Sequence, residues 1–521
     1  MAGRPPGLAP LGLNVSNSSL RTSMSTDLGA SYNLTDEGIR LLSASAREFK
    51  LTSAGLKTTT RGDDAGTPPA DLSYRCSAKD LHVFDVIGSG AGGVVKKAVH
   101  VPTHRFVALK VMTVFDKDKR RQLVSEMRTL CDSPRQRGLV SFLGAFYSPE
   151  TNQINIALEY VDGGSLESIV KRAGPVPVAV VGRVAAGVAE GLEYLHERRR
   201  LVHRDIKPGN ILVKLTGEPK ITDFGIVAEL GATRAMLDSF KGTMCYMSPE
   251  RVENKDYGRS ADVWSLGVTL LECALGRYPY DEGDGGPLGL MLQITRDDVP
   301  FPANHGFPRE FVDLVRSCMR KGPGDRPTAE LLRRHPFVAR CAEDPAADVG
   351  RYMRAVVDPI EALRSNAETF LAHYYRLVDR PAPDPRALAT LYRSSSCYTS
   401  AQGDKIKGGD AIGARLAKRA GMGAGVLRRE LRTVDVLPGG VEGGMLILAT
   451  GTMEGRGGAG GGGGGGGSGS GLRFDFRETF LVLQVHEGWG GVLPGGEENA
   501  GGQFYVRNHV ERWSGRGEGD A

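Results

Sequence analysis

Asp205, Lys207 and Asn210 lie together in the run His203-Arg204-Asp205-Ile206-Lys207-Pro208-Gly209-Asn210, and Asp223 follows shortly in Asp223-Phe224-Gly225. These residue types, in this order, supply what transfer of a phosphoryl group to a hydroxyl needs. The Asp205 carboxylate can accept a hydrogen bond from the attacking hydroxyl, and the Lys207 ammonium can hold the phosphate being transferred. Asn210 and Asp223 offer hard oxygen ligands to Mg²⁺, which takes one or two protein oxygens plus substrate phosphates.

Such groups need a scaffold that brings a nucleotide to them. Val83-Phe84-Asp85-Val86-Ile87 reads as a strand and Val107-Ala108-Leu109-Lys110 as a second one. Between them Gly88-Ser89-Gly90-Ala91-Gly92-Gly93-Val94-Val95 fits G-x-G-x-x-G-x-V, in which glycines let backbone amides approach phosphates where a Cβ would intrude. The glycine pattern alone also suits a dinucleotide fold, but there it precedes a helix rather than joining two strands. Residues 117–131 read as a helix whose Arg121-to-Cys131 core carries one carboxylate, Glu126: either the ion-pair partner of Lys110 or a solvated surface charge.

The pattern H-R-D-x-K-P-x-N followed by D-F-G, together with the glycine hairpin and its lysine, resembles the protein kinases. The resemblance implies a bilobal fold that uses ATP and Mg²⁺. Its nucleotide site would comprise Ile87, Gly88, Ser89, Gly90, Ala91, Gly92, Gly93, Val95, Ala108, Lys110, Leu158, Glu159 and Val161. Asp162 would meet the ribose or cap a turn. The same resemblance pairs Glu250 of Ser248-Pro249-Glu250 with Arg326, and makes Asp262 the buried support of the catalytic loop. Lys207 and Thr243 favour a serine/threonine or dual-specificity enzyme over a tyrosine-specific one. Arg204, beside the catalytic aspartate, wants an anion such as a phosphorylated activation segment.

Bulk properties agree. A chain of 521 residues is long enough for two or three domains, and a net charge of +5 argues against a dedicated nucleic-acid binder. No apolar run reaches the ~20 residues of a membrane span. Seven scattered cysteines suggest reduced thiols and a cytoplasmic or nuclear protein, with no zinc-ligand spacing. Residues 1–75 are Ser-, Thr-, Gly- and Pro-rich and read as a disordered regulatory tail, with a helical turn at Ile39-Arg40-Leu41-Leu42. Arg4 and Leu11-Gly12-Leu13 form either a thin docking peptide or an incidental piece of tail.

Within the kinases, Val161-Asp162-Gly163-Gly164-Ser165-Leu166, Ser239-Phe240-Lys241-Gly242-Thr243, Tyr246-Met247-Ser248-Pro249-Glu250-Arg251 and Gly276-Arg277-Tyr278-Pro279-Tyr280 are similar to mitogen-activated protein kinase kinases. Thr233 and Ser239 stand six apart, the plant-type spacing of phosphorylatable residues, whereas Ala235 occupies the position four before Ser239. The resemblance implies transfer to the threonine and tyrosine of a T-x-Y loop in a downstream kinase. It also implies activation by an upstream kinase at Thr233 and Ser239, though Thr233 has the alternative reading of an ordinary loop hydroxyl. The rival classes are a pseudokinase scaffold and a general serine/threonine kinase.

The kinase resemblance fills residues 80–340, and a further region spans 350–515. There Ala362–Val378 reads as a helix, Leu388–Tyr392 as a second and Gly408-Gly409-Asp410-Ala411-Ile412 as a turn into a third. Strands are expected over 430–436, 444–453, 472–485 and 502–511. This α+β order, with Phe370-Leu371-Ala372-His373-Tyr374-Tyr375 early and Phe474-Asp475-Phe476-Arg477-Glu478-Thr479-Phe480 late, resembles the nuclear-transport-factor-two-like cone found after the kinase in one plant-type group. Gly455–Gly471, nearly all glycine, reads as a flexible hairpin extension. His373, Tyr374, Tyr375 and Asp475 would line a pocket or pack a core, and the domain would bind a protein partner or a second copy.

Overall fold

The computed structural model describes residues 31–35, 38–42, 47–60, 72–74, 76–90, 93–113, 136–223, 244–280, 286–357, 359–380, 382–400, 403–421, 426–438, 445–455, 472–485 and 503–515. The first of these lie within the stretch 1–75 and are strands. Strands β1 (Ser31–Thr35), β2 (Gly38–Leu42), β3 (Arg47–Thr52), β4 (Gly55–Thr60) and β5 (Leu72–Tyr74) form an antiparallel meander, and Ile39–Leu42 is strand rather than helical turn. The segment has little apolar content because it borrows its core. Ile39, Leu51 and Leu56 are buried in the same apolar cluster as Phe142 and Tyr147 of the lobe that follows. The tight turn between β3 and β4 is held by Thr52 Oγ1, which donates to Gly55 O (3.2 Å) and accepts from Ala54 N (3.2 Å). Arg4, Leu11 and Leu13 lie outside the described residues.

The upper of the next two lobes is an antiparallel sheet of β6 (Leu81–Gly90), β7 (Gly93–His100), β8 (Arg105–Thr113), β9 (Phe142–Ser148) and β10 (Gln153–Glu159), ordered β6-β7-β8-β10-β9. The lower lobe contains α1 (Leu166–Ala173), α2 (Val178–Glu193), the short pair β11 (Ile211–Val213) and β12 (Pro219–Ile221), α3 (Pro249–Val252), α4 (Arg259–Leu275), α5 (Gly286–Arg296), α6 (Arg309–Cys318), α7 (Ala329–Arg334) and α8 (Pro336–Glu343). Ser165 caps α1 by accepting from Ser168 N at 3.2 Å. Helix α4 is buried over almost its whole length, Trp264 fully, so it is the central strut of this lobe.

The chain continues as α9 (Val349–Val356), α10 (Pro359–Val378), α11 (Pro385–Ala389), β13 (Tyr392–Thr399), β14 (Lys405–Lys407), α12 (Gly409–Gly421), β15 (Val426–Pro438), β16 (Met445–Gly455), β17 (Leu472–Val485) and β18 (Gln503–Gly515). The four long strands form an antiparallel meander, and β13 runs parallel to β18. The second expected helix ends earlier than its sequence suggests. Tyr392 opens a strand because its ring is buried in the cone's core and its hydroxyl meets His509 Nδ1 at 3.1 Å. Gly455 pairs with Leu472 at the end of β16 and β17, so the glycine run joins two strands as expected, although residues 456–471 are not described. Asp475 lies in β17, and its side chain is outside the description. None of the described cysteines forms a disulfide, and no described helix is long and apolar enough to cross a membrane.

The C-terminal domain shares a core with the upper lobe. Val99 and Phe106 belong to one buried cluster with Ala367, Phe370, Leu371 and Tyr374. Three buried histidines cross the boundary: His373 Nδ1 lies 2.9 Å from His82 Nδ1, and His373 Nε2 lies 2.8 Å from His104 Nδ1. His104 Nε2 meets Thr390 Oγ1 at 2.7 Å, and Thr390 donates to Ala387 O at 2.7 Å. Arg380 lies 3.4 Å from His82 Nε2. One direction of donation satisfies the whole ladder with neutral rings: Arg380 to His82, His82 to His373, His373 to His104, His104 to Thr390.

Burial, reinforced by Arg376 and Arg380, pushes His82 down to about 4. Burial, then His100, His82 and Arg393, pushes His104 down to about 3, and burial with His104, His82, Arg376 and Arg380 holds His373 well below the ordinary histidine value. Each ring therefore resists a proton more when docked than when exposed. Above pH 6.5 nothing is lost; below it the undocked form takes up protons first, and docking weakens progressively as pH falls. Amide exchange in α10 and β7, corrected for intrinsic rates, is expected to accelerate between pH 7.5 and 5.5.

Candidate active site

The catalytic loop is pinned from below by Asp262, as expected. Its Oδ2 accepts from His203 N (2.7 Å) and its Oδ1 from Arg204 N (2.7 Å), while His196 Nε2 lies 2.8 Å from Oδ2. Burial alone would raise the Asp262 carboxyl, but the His196 bond and the neighbouring His203 and Arg204 N–H groups outweigh it and keep the group below the ordinary carboxylate range. His196 was not legible as a supporting residue, because nothing local marks a histidine in a helix end as the partner of an aspartate far along the chain.

Pinning from both sides lets Arg204 adopt a left-handed φ of 71°, with its carbonyl accepting from Arg251 at 2.7 Å. The loop then presents Asp205. Lys207 Nζ donates to Asp205 Oδ2 at 2.8 Å and to Oδ1 at 3.1 Å, and Asn210 Nδ2 donates to Oδ2 at 2.7 Å and to the Asp205 carbonyl at 2.8 Å. The three residues expected to act together are thus in direct contact.

Asp223 is a second non-glycine residue at positive φ, 56°, and its Oδ1 accepts from Lys110 Nζ at 2.7 Å. Burial would raise its carboxyl; Lys110 first, with His203 and Lys207, holds it below the ordinary value. The residues present suit Mg²⁺. Asn210 uses its amide nitrogen on Asp205, so what it can offer a ligand is the hard Oδ1 oxygen, and Asp223 is an ionised carboxylate. Glu126, the expected partner of Lys110, lies outside the described residues, as do Ala91, Gly92, Thr233, Ser239 and Thr243.

The sheet register gathers the nucleotide-site candidates. Val95 pairs with both Gly88 and Lys110, Ser89 lies next to Gly88 in β6, and Ala108 pairs with Leu158. Ile87 is 46% exposed above this surface, an apolar side chain with room for a flat ring against it. Gly93 is required by the protein itself: at φ 122° a Cβ would come 2.4 Å from Val111 O. A Cβ at Gly90 would touch nothing within 4 Å among the described residues.

At the connection between lobes, Leu158 and Val161 are buried, and the Glu159 side chain is turned away into ion pairs with Lys214 (2.8 Å) and Lys220 (3.3 Å). Asp162 Oδ1 accepts from Leu215 N at 2.9 Å, which ties the hinge to the loop after β11 rather than capping its own turn. Glu250 and Arg326 form the expected buried pair through two parallel bonds of 2.7 Å. Tyr374 and Tyr375 pack the C-terminal core, Tyr375 donating to the buried Glu478 at 2.6 Å, whereas His373 faces the kinase lobe rather than a pocket.

Residues 81–338 match the protein kinase domain family, and residues 366–460 match the nuclear transport factor 2 domain family. The chain is 44% identical over 359 residues to mitogen-activated protein kinase kinase 3 of Arabidopsis thaliana, covering 69% of each protein. It is 36% identical to mitogen-activated protein kinase kinase 1c of Physcomitrium patens, covering 64% of this chain and 95% of that one. It is also 37% identical to dual specificity mitogen-activated protein kinase kinase dSOR1 of Drosophila melanogaster, covering 54% of this chain and 76% of the relative. With a protein kinase domain followed by a nuclear transport factor 2 domain and 44% identity to such a relative, this chain is a dual-specificity protein kinase and belongs to the mitogen-activated protein kinase kinase family.

Proposed function

We propose that the enzyme passes the γ-phosphoryl group of ATP to both the threonine and the tyrosine of a T-x-Y loop in a downstream mitogen-activated protein kinase. The observation that carries this reading is the Asp205 carboxylate held between Lys207 and Asn210 beside the Lys110–Asp223 pair. Asp205 orients the substrate hydroxyl and receives its proton as the oxygen–phosphorus bond forms and the bond from the γ-phosphorus to ADP breaks. Lys207 steadies the phosphoryl group, and Lys110 aligns the phosphates that remain. Mg²⁺ held by Asn210 and Asp223 supplies charge neutralisation on the phosphates when bound. A scaffold without transfer activity would be free to lose any of these groups, and the described ones are all present, Asp205 in contact with Lys207 and Asn210, and Lys110 with Asp223.

Incubation with Mg-ATP and an inactive T-x-Y kinase, followed by phosphosite mapping, is expected to give phosphothreonine and phosphotyrosine. Phosphothreonine alone points to a general serine/threonine kinase. Activation is assigned to phosphorylation of Thr233 and Ser239 by an upstream kinase. The double variant Thr233→Ala/Ser239→Ala is expected to lose at least about tenfold of the activated rate, as when an ordering phosphate–arginine contact is removed. Full activation of that variant would refute the assignment.

A further inference from the structure

We propose that the C-terminal domain is a splint across the kinase hinge, in which Asn366 and His373 are positioning residues that set the upper lobe for nucleotide binding. The inference rests on reading the chain as an ATP-using kinase.

The chain path provides the geometry. After the lower lobe, α9 passes behind the hinge: Met353 is buried there, and a Cβ at Gly163 would fall 2.7 Å from its Cε, so the two segments are in close contact. Arg354 donates to Leu215 O at 3.2 Å, on the same residue whose N–H donates to Asp162. Helix α10 then meets the upper lobe at two places.

The first is Lys97, a buried lysine of β7. Its Nζ donates to Asn366 Oδ1 at 2.9 Å and to Ser365 O and Oγ at 3.3 Å. The same ammonium lies 4.9 Å from the Phe106 ring centre and 5.1 Å from that of Tyr160, and these two rings meet edge to face. Tyr160 is the hinge residue between Glu159 and Val161, two of the nucleotide-site candidates. A polar contact from the C-terminal domain therefore reaches the hinge through a single intermediary.

The second is the histidine ladder, which fixes β6 through His82 and the approach to β8 through His104. It is flanked by Arg376, which donates to Val83 O at 3.2 Å and lies 4.5 Å from the Phe84 ring centre. β6 carries Ile87 and Gly88; β8 carries Ala108 and Lys110. The C-terminal domain thus contacts the strands that hold the nucleotide and, through Lys97, the hinge, while α9, the segment that leads into it, packs on the lower-lobe side of the hinge. Kinase lobes change their mutual angle during turnover, and an element bound on both sides of the hinge biases that angle.

The test uses the full chain and reads ATP affinity by displacement of a fluorescent ATP analogue, with KM for ATP and kcat measured in parallel. Asn366→Leu removes the acceptor for Lys97 and is expected to weaken ATP binding three- to tenfold, with kcat at saturating ATP within twofold. Asn366→Asp keeps an acceptor oxygen and is expected to stay within twofold of wild type. His373→Leu is expected to weaken ATP binding to the extent that Asn366→Leu does. If Asn366→Leu does not fold, as judged by circular dichroism and thermal unfolding, Lys97→Met takes its place, since it keeps the stem between the rings and removes only the donor. Wild-type affinity in the folded loss variants, or equal weakening by Asn366→Leu and Asn366→Asp, overturns the proposal. Nucleotide binding needs no phosphoryl transfer, so this result stands apart from whether a T-x-Y kinase is the substrate.

Discussion

Asp205→Asn is expected to lower kcat by about 10²–10⁴-fold, the range removed with a general base, while ATP affinity and thermal stability stay close to wild type. The reasoning is local. Asn keeps the shape and can still accept from Lys207 and Asn210 through its one carbonyl oxygen, so the loop pinned by Asp262 keeps its form. What it loses is the negative charge and the basic oxygen that receives the hydroxyl proton. Single-turnover kinetics with the activated chain separates this from a binding defect, since KM for ATP should hardly move. Retained turnover in the variant would remove Asp205 from the chemistry.

The largest stability effect is expected at Arg326. Its guanidinium donates to both Glu250 oxygens, to Ser260 O, Lys321 O and Arg320 O, and lies 5.1 Å from the Trp264 ring centre. Burial would raise the Glu250 carboxyl, but the Arg326 bonds hold it below its ordinary value, so the pair stays ionised. Its stabilisation is present above the ordinary glutamate pKa and is lost as pH falls through the lower folded value. Arg326→Ala strands a buried carboxylate, and a loss of about 3–5 kcal/mol follows, seen as a fall in the kinase unfolding midpoint by calorimetry. Replacing both partners with leucine should cost less than the single change, because no charge remains unpaired. A double-variant cycle that proved additive would contradict this account.

The chemistry of the site was legible because its parts are contiguous. Asp205, Lys207 and Asn210 share one loop, and their mutual contacts require only that the loop fold at all. The long strands of the C-terminal meander were legible for a similar reason, since their alternation is a local property. Tyr392 was placed in a helix because short apolar runs do not distinguish helix from strand, and its pairing with β18 is non-local. The meander of β1–β5 was hidden because its composition looks too polar to hold a core, which it does not own. The histidine ladder was hidden more deeply: His82 and His373 are 291 positions apart, and nothing in the run around His373 points to His82.

The meander over β9 bears on how the protein can be divided. Cutting to residues 81–338, the span shared with other kinases, would strip two covers at once, baring Phe142 and Tyr147 on one flank and Val99 and Phe106 on the other. Such a fragment should self-associate at concentrations where the parent stays monodisperse, because apolar surface of that extent seeks any partner available. For this enzyme the unit of inheritance and the unit of solubility have different boundaries.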